Sequence, residues 1–211
     1  MTLGEIKIEA LKLMFTNMND DIDAYNIAHY YDDENYRGYL YAMVGSINRC
    51  FARIEDRKVL PSRTRQLKAD EGVVSGKYIR YDLNALIKDF YTIDRIVYES
   101  KQGEYISDCN YTTEGNVLVL DTIKEGDSYT VIYKPSIERV ASHTSDEKEI
   151  DIPNGIASYI PYYIKGDLFR DDEPNEASES RNWFEQALDE ITYKNMSKAN
   201  TVKTIYSQTE V

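Results

Sequence analysis

The chain has 211 residues, 42% hydrophobic and 29% charged, with a formal net charge of -12 at pH 7. No run of 18 apolar residues exists, which excludes a membrane-spanning helix, and the acidity repels phosphate, which excludes a free-standing duplex-DNA binder while still allowing an acidic wall past which DNA slides. Tyr supplies 19 residues, so the strictly apolar share is about a third, enough for one core or a core plus a small second module.

The opening, Met1-Thr2-Leu3-Gly4-Glu5, lacks the basic and apolar regions of a signal peptide. A soluble product made in the cytoplasm is expected. Thr2 and Glu5 have the spacing of a capping box, and Leu3, Ile6, Ala10, Leu13 and Met14 then recur on one helix face, widened by Leu11 and Phe15. Residues 17–23 are polar and end that helix. The Tyr-rich acidic stretch 24–34 reads as a loop or a short helix. A second helix is predicted over about 35–56, where Tyr36, Leu40, Met43, Ile47, Cys50 and Ile54 alternate by four and three. Two amphipathic helices so close in sequence should pair, since neither hides its stripe alone.

Past Arg57 the pattern changes to a basic, irregular stretch with Arg63, Arg65 and Lys68. From Val73 to Pro135 the period is two, with strand candidates at 74–81, 93–99, 105–111, 117–120 and 129–133. Gly103, Gly115-Asn116 and Gly126-Asp127 punctuate them as turns. Residues 83–91 fit either a short helix or a connection. The spacing suits a small antiparallel sheet or sandwich.

Helical sequence returns after a polar linker at 141–148. Asp151 is placed to cap, Pro153 suits a first turn, and Ile156, Ile160, Tyr163 and Leu168 share a face; Pro161 falls inside this predicted helix and should bend it. A last helix starts near Asn175 and carries Ala177, Arg181, Phe184, Leu188 and Ile191. The sequence therefore predicts an α+β protein, a helical bundle of two N-terminal and two C-terminal helices with an inserted small antiparallel β-domain. Its expected parts are 1–58 and 150–194 for the bundle, 73–136 for the β-module and 195–211 for a flexible tail.

Chemistry is sparse. His29 and His143 have no metal-ligand spacing, Cys50 and Cys109 form no redox or metal motif, and Asp20-Asp21-Asp23 and Asp32-Asp33-Glu34 lack the Gly and distal Glu of a calcium loop. Ser46 lies mid-helix, its hydroxyl expected on the preceding turn. No Gly-rich phosphate loop or nucleophile elbow is present. The expectation is a non-enzyme with no cofactor, no metal and no catalytic residue. The basic stretch Arg57, Lys58, Arg63, Arg65 and Lys68 reads either as a loop balancing its acidic neighbours or as a DNA-facing or acid-binding loop. Tyr30, Tyr31, Tyr39, Tyr41, Tyr162 and Trp183 are interface candidates, because so many amphipathic rings are hard to bury in one monomer.

Two blocks of the chain resemble head–tail adaptor (connector) proteins of tailed bacteriophages. The first is Thr2-Leu3-Gly4-Glu5-Ile6 leading into Ala10-Leu11. The second is Asp151-Ile152-Pro153, Ile160-Pro161-Tyr162-Tyr163-Ile164, Leu168, Asp171-Asp172-Glu173-Pro174, Ala177 and Trp183-Phe184 with Ala187-Leu188. An inserted β-module between helix pairs is similar to the tail-tubular or neck type. The resemblance implies a homo-oligomeric ring, commonly dodecameric, in the virion neck. Its partners would be the portal protein, a downstream tail or neck protein, and DNA passing through the lumen without specific binding. A C-terminal tail with Tyr193, Thr201, Val202, Ile205 and Tyr206 would then be the portal-docking segment. The alternatives are a tail-completion or baseplate protein, or a receptor- or carbohydrate-binding β-module on a helical stalk. Against the last, the single Trp, Trp183, lies outside the β-module.

Overall fold

The computed structural model describes residues 1–15, 22, 27–102, 105–106, 109–121 and 128–207. It is a mixed α+β fold with antiparallel sheets, and the chain divides into two compact units. One comprises Met1–Val59 and Ile137–Val211, the other Leu60–Ser136.

In the helical unit, α1 (Leu3–Met14) starts with its predicted capping box: the Glu5 N–H donates to Thr2 Oγ1 at 3.2 Å, and the Thr2 N–H donates to the Glu5 carboxylate at 2.8 Å. The stretch expected as a polar linker is held against that helix start. The N–H groups of Leu3 and Gly4 donate to the carbonyls of Lys148 and Asp146, satisfying two of the donors a helix leaves orphaned. The short α2 (Ile27–Asp32) precedes α3 (Glu34–Asp56), which Asp33 caps through the Asn35 N–H. The seam Tyr36, Leu40, Met43, Ile47, Cys50 and Ile54 is buried throughout, and each such apolar side chain contributes about 1.5–3 kcal/mol.

Helix α3 also carries polar groups on its buried flank. Its Asn48 side chain pairs with both backbone groups of Val140, donating at 2.8 Å and accepting at 2.9 Å. One turn pair further on, Glu55 is buried. It accepts from the Ile137 N–H at 2.6 Å and from the Arg139 guanidinium at 3.0 and 2.5 Å. Asn48 and Glu55 thus clasp the chain where it re-enters this unit.

Helices α5 (Asn154–Ala157) and α6 (Ile160–Leu168) replace the single bent helix expected here. Pro161 sits in the first turn of α6, where a missing N–H costs nothing, so it starts a helix rather than bending one. Pro153, not Asp151, occupies the N-cap position of α5. Helix α6 packs on α1, α3 and α7 (Pro174–Ser207). At its crossing with α7 a Cβ on Gly166 would stand 2.9 Å from the Ala177 carbonyl oxygen, so glycine is what permits that approach. The tail read as flexible from 195 is helical backbone through Ser207; nothing between Pro174 and Ser207 is Gly or Pro, so no residue forces a stop.

The second unit holds two four-stranded antiparallel sheets, ordered β1-β8-β4-β5 and β2-β3-β7-β6. The strands are β1 (Arg63–Leu67), β2 (Val73–Ser75), β3 (Tyr78–Asp82), β4 (Phe90–Glu99), β5 (Tyr105–Ile106), β6 (Thr112–Glu114), β7 (Val117–Asp121) and β8 (Ser128–Pro135), with the single-turn helix α4 (Leu83–Leu86) before β4. Two readings change. The basic stretch is a strand, β1, paired along β8. The strand expected at 74–81 is a hairpin, with Ser75 opposite Tyr78 across Gly76-Lys77. The Gly115-Asn116 turn links β6 and β7 as expected, with Glu114 opposite Val117; Gly103 and Gly126-Asp127 lie outside the described residues. Alternate residues of β8 point inward, and Tyr129, Val131 and Tyr133 join Ile79, Tyr81, Leu118 and Leu120 in one cluster drawn from both sheets.

Replacing Glu55 with Ala should destabilise the protein by about 3 kcal/mol, since the buried Ile137 N–H loses its acceptor and Arg139 its partner. Chemical denaturation would read it; a loss under about 1 kcal/mol would mean the clasp contributes little.

Candidate functional site

Arg49 and Arg53 of α3 and Arg57 at its C-cap are spaced by four and share one face. On α7, Arg181, Glu185 and Asp189 have the same spacing. The two rows interlock. Arg53 makes a two-pronged contact with Glu185, both bonds 2.8 Å, and Arg57 bridges Glu185 at 3.1 Å and Asp189 at 2.7 Å. Asp167 of α6 receives Arg49 and, at 3.4 Å, Arg181. Arg181 also lies 4.2 Å from the centre of the Tyr163 ring, a cation–π contact. Hydrogen bonding from Arg53 holds the Glu185 carboxyl below its ordinary range, burial opposing and the Arg53 and Arg57 charges reinforcing it.

Arg57, expected in a DNA-facing or acid-binding loop, therefore engages acids of its own chain. Lys58 is the exposed residue after α3, in a left-handed conformation (φ 52°) with its N–H on the Glu55 carbonyl. Arg63 and Arg65 belong to β1, where Arg63 meets Asp89 and Arg65 meets Glu71 at 2.5 Å. Lys68 is exposed, and its N–H donates to Glu71 at 3.0 Å. The sequence grouped these five cations because they are neighbours in the chain; the fold distributes them over a helix end, a strand and a turn.

The interface candidates separate by exposure. Tyr30 is only 4% exposed, edge-on to Tyr36 at 5.5 Å, so it belongs to the chain's own core and not to an outer surface. Tyr39 is half-buried between Phe15 and Phe169. Tyr31 is half-buried too, and its hydroxyl accepts from the buried Lys7 at 2.7 Å, while Lys7 also pairs with Asp146 at 2.6 Å. Burial pushes the Tyr31 hydroxyl up, with Lys7 pulling the other way. Tyr162 lies against Tyr159. Tyr41 and Trp183 are more than half exposed, and Tyr193 is 74% exposed. Thr201, Val202, Ile205 and Tyr206 lie on the helical backbone of α7.

Lys7, which no sequence motif marks, joins Tyr31 and Asp146. A lysine inside an otherwise apolar helix face was the available signal. Ser46 differs from expectation: its hydroxyl is buried and has no hydrogen-bond partner among the described residues. Among those residues no group of three or more His, Cys, Asp and Glu side chains is placed to hold a metal ion, and Asp20, Asp21 and Asp23 lie outside them. Asp33 serves as a helix cap and His29 packs on Tyr30. Cys50 is buried, which pushes its thiol up, and Cys109 is half-buried.

Two cavities open among the described residues. One of about 300 Å³ lies between Glu34, Gly38, Tyr39 and Ala42 of α3 and Leu168 of α6. The other, about 210 Å³, opens in the β unit beside Tyr91 and Tyr111. No helix of the described residues is long and apolar enough to cross a membrane. No model of a known protein family matches the chain, and no curated protein matches it.

The low Glu185 carboxyl fixes the sign of one pH dependence. A carboxyl held down in the folded state contributes stability above its unfolded pKa, about 4.3, and that contribution disappears as pH falls through the folded value. Wild type should therefore melt higher than Glu185→Gln at pH 7, and the two melting curves should converge below about pH 4. A gap that persists unchanged to pH 3 would contradict the ion-pair origin.

Proposed function

We propose that this chain is a structural virion protein, a head–tail adaptor that forms a ring between portal and tail. The observation that carries the reading is α7. Its 34 residues span roughly 50 Å at 1.5 Å per residue, whereas α6, on which it packs, spans roughly 14 Å and α3, which it meets through Glu185 and Asp189, roughly 35 Å. A helix that outruns its partners in its own chain, with Trp183 and Tyr193 exposed along it, is suited to packing on other subunits. In this reading α1, α3, α6 and α7 form the four-helix bundle and the β unit is its insertion. Tyr41 and Trp183 supply lateral contacts, and the -12 charge lines a lumen that DNA passes without adhering. The end of α7 docks on the portal, the β unit meets the next tail component, and the protein resides in the virion neck. No catalytic group, metal or cofactor takes part.

Mass measurement of the full chain with and without its portal tests the ring: an oligomer is expected, dodecameric by the resemblance, and a strict monomer that binds no portal overturns it. Truncation after Lys194 gives a separate readout. The shortened chain should melt within about 3 °C of the full one, since the removed residues lie beyond α6, yet fail to enter particles. Incorporation equal to that of the full chain would remove the docking role from this segment.

A further inference from the structure

The 210 Å³ cleft of the β unit is assembled at a seam between sheets. Among the described residues β5 pairs with β4 at Tyr98 and Glu99, and the Cys109 N–H donates to the Ile96 carbonyl at 3.0 Å, so residues 90–93 at the start of β4 lie beyond the described pairing on that side. Strand β6 is the edge of the other sheet. The cleft is lined by residues of both borders, together with Leu83 and Phe90. The β4–β8 register shifts between Phe90 and Thr92, which takes Tyr91 out of the regular ladder and re-aims it. Tyr91 and Tyr111 line the opening and are 36% and 39% exposed. Thr92, Thr113 and Asn116 add hydroxyl and amide groups.

The lining selects its ligand by what it combines and what it omits. None of the nine described lining residues is charged, although 29% of the chain is, a rate at which more than two of the nine would be. Among the described lining residues an anion such as a nucleotide or phosphate ester finds no cation, and an ammonium ligand finds no carboxylate. Aromatic rings beside short hydroxyl and amide side chains suit a ligand with an apolar C–H face and a hydroxyl-rich rim. A pyranose has both. We propose that this cleft binds one neutral pyranose unit of a saccharide, its C–H face on Tyr91 or Tyr111 and its hydroxyls on Thr92, Thr113 and Asn116. The inference does not depend on the adaptor reading; ring formation is measured separately and neither result decides the other.

Saturation-transfer NMR on the full chain tests it, with methyl β-glucoside, methyl β-galactoside and N-acetylglucosamine as neutral probes and glucuronic acid as the charged comparison. At least one neutral probe should receive saturation at its ring C–H protons. Tyr91→Ala and Tyr111→Ala should each weaken that probe about tenfold or more without moving the melting temperature by over about 2 °C. Glucuronic acid should bind more weakly than the best neutral probe. Thr113→Val and Asn116→Ala serve if the Tyr variants unfold, and should show the same loss. The proposal is overturned if no neutral probe is saturated, if binding survives in the folded variants, or if glucuronic acid binds as tightly as the neutral sugars.

Discussion

The helical unit exists because one helix holds the returning chain. The segment Met1–Val59 leaves and the segment from Ile137 comes back, and what receives it is a pair of polar side chains on α3. Asn48 presents an amide that pairs with Val140 as a neighbouring strand would. Glu55 presents a carboxylate to a buried N–H and to Arg139. Both are expensive groups to bury unpartnered, so each tolerates one arrangement of the incoming backbone. With that segment fixed, residues 146–148 reach the start of α1 and satisfy its first donors, and α6 can lie against α1 and α3.

Charge is used locally despite the overall excess of acid. Arginines on α3 meet carboxylates on α6 and α7, and those on β1 meet Asp89 and Glu71. Half-exposed pairs of this kind contribute well under 1 kcal/mol each, so their main effect is on register: the four-residue spacing on α3 matches that on α7 in one alignment.

Much of the helical layout was legible because its determinants are local. Thr2 and Glu5 write the start of α1, and the four-and-three alternation of Tyr36 to Ile54 writes the buried face of α3. One signal can carry two meanings. The apolar period running through Pro161 suggests a bent helix, yet the break at Ser158 and Tyr159 makes it a first-turn residue. Strand β1 escaped because its residues are nearly all polar and only Leu67 is buried; it lies at a sheet edge, where little apolar patterning is needed. The Glu55 clasp and the Tyr91 cleft were invisible for a different reason. Their members come together across 82 residues in the first case and from α4, β4, β6 with the residue before it, and the Gly115-Asn116 turn in the second, and single-sequence spacing carries no record of such meetings.

The clasp has a consequence for how the chain folds. Joining Glu55 to Ile137 closes a loop of 82 residues, which for a disordered chain costs roughly 4 kcal/mol of entropy at 25 °C. The β unit has its own buried cluster; once collapsed, it tethers its two ends and removes most of that search. A β unit that collapses first would therefore bring the C-terminal helices to α3 at a lower entropic cost than a disordered insertion of the same length.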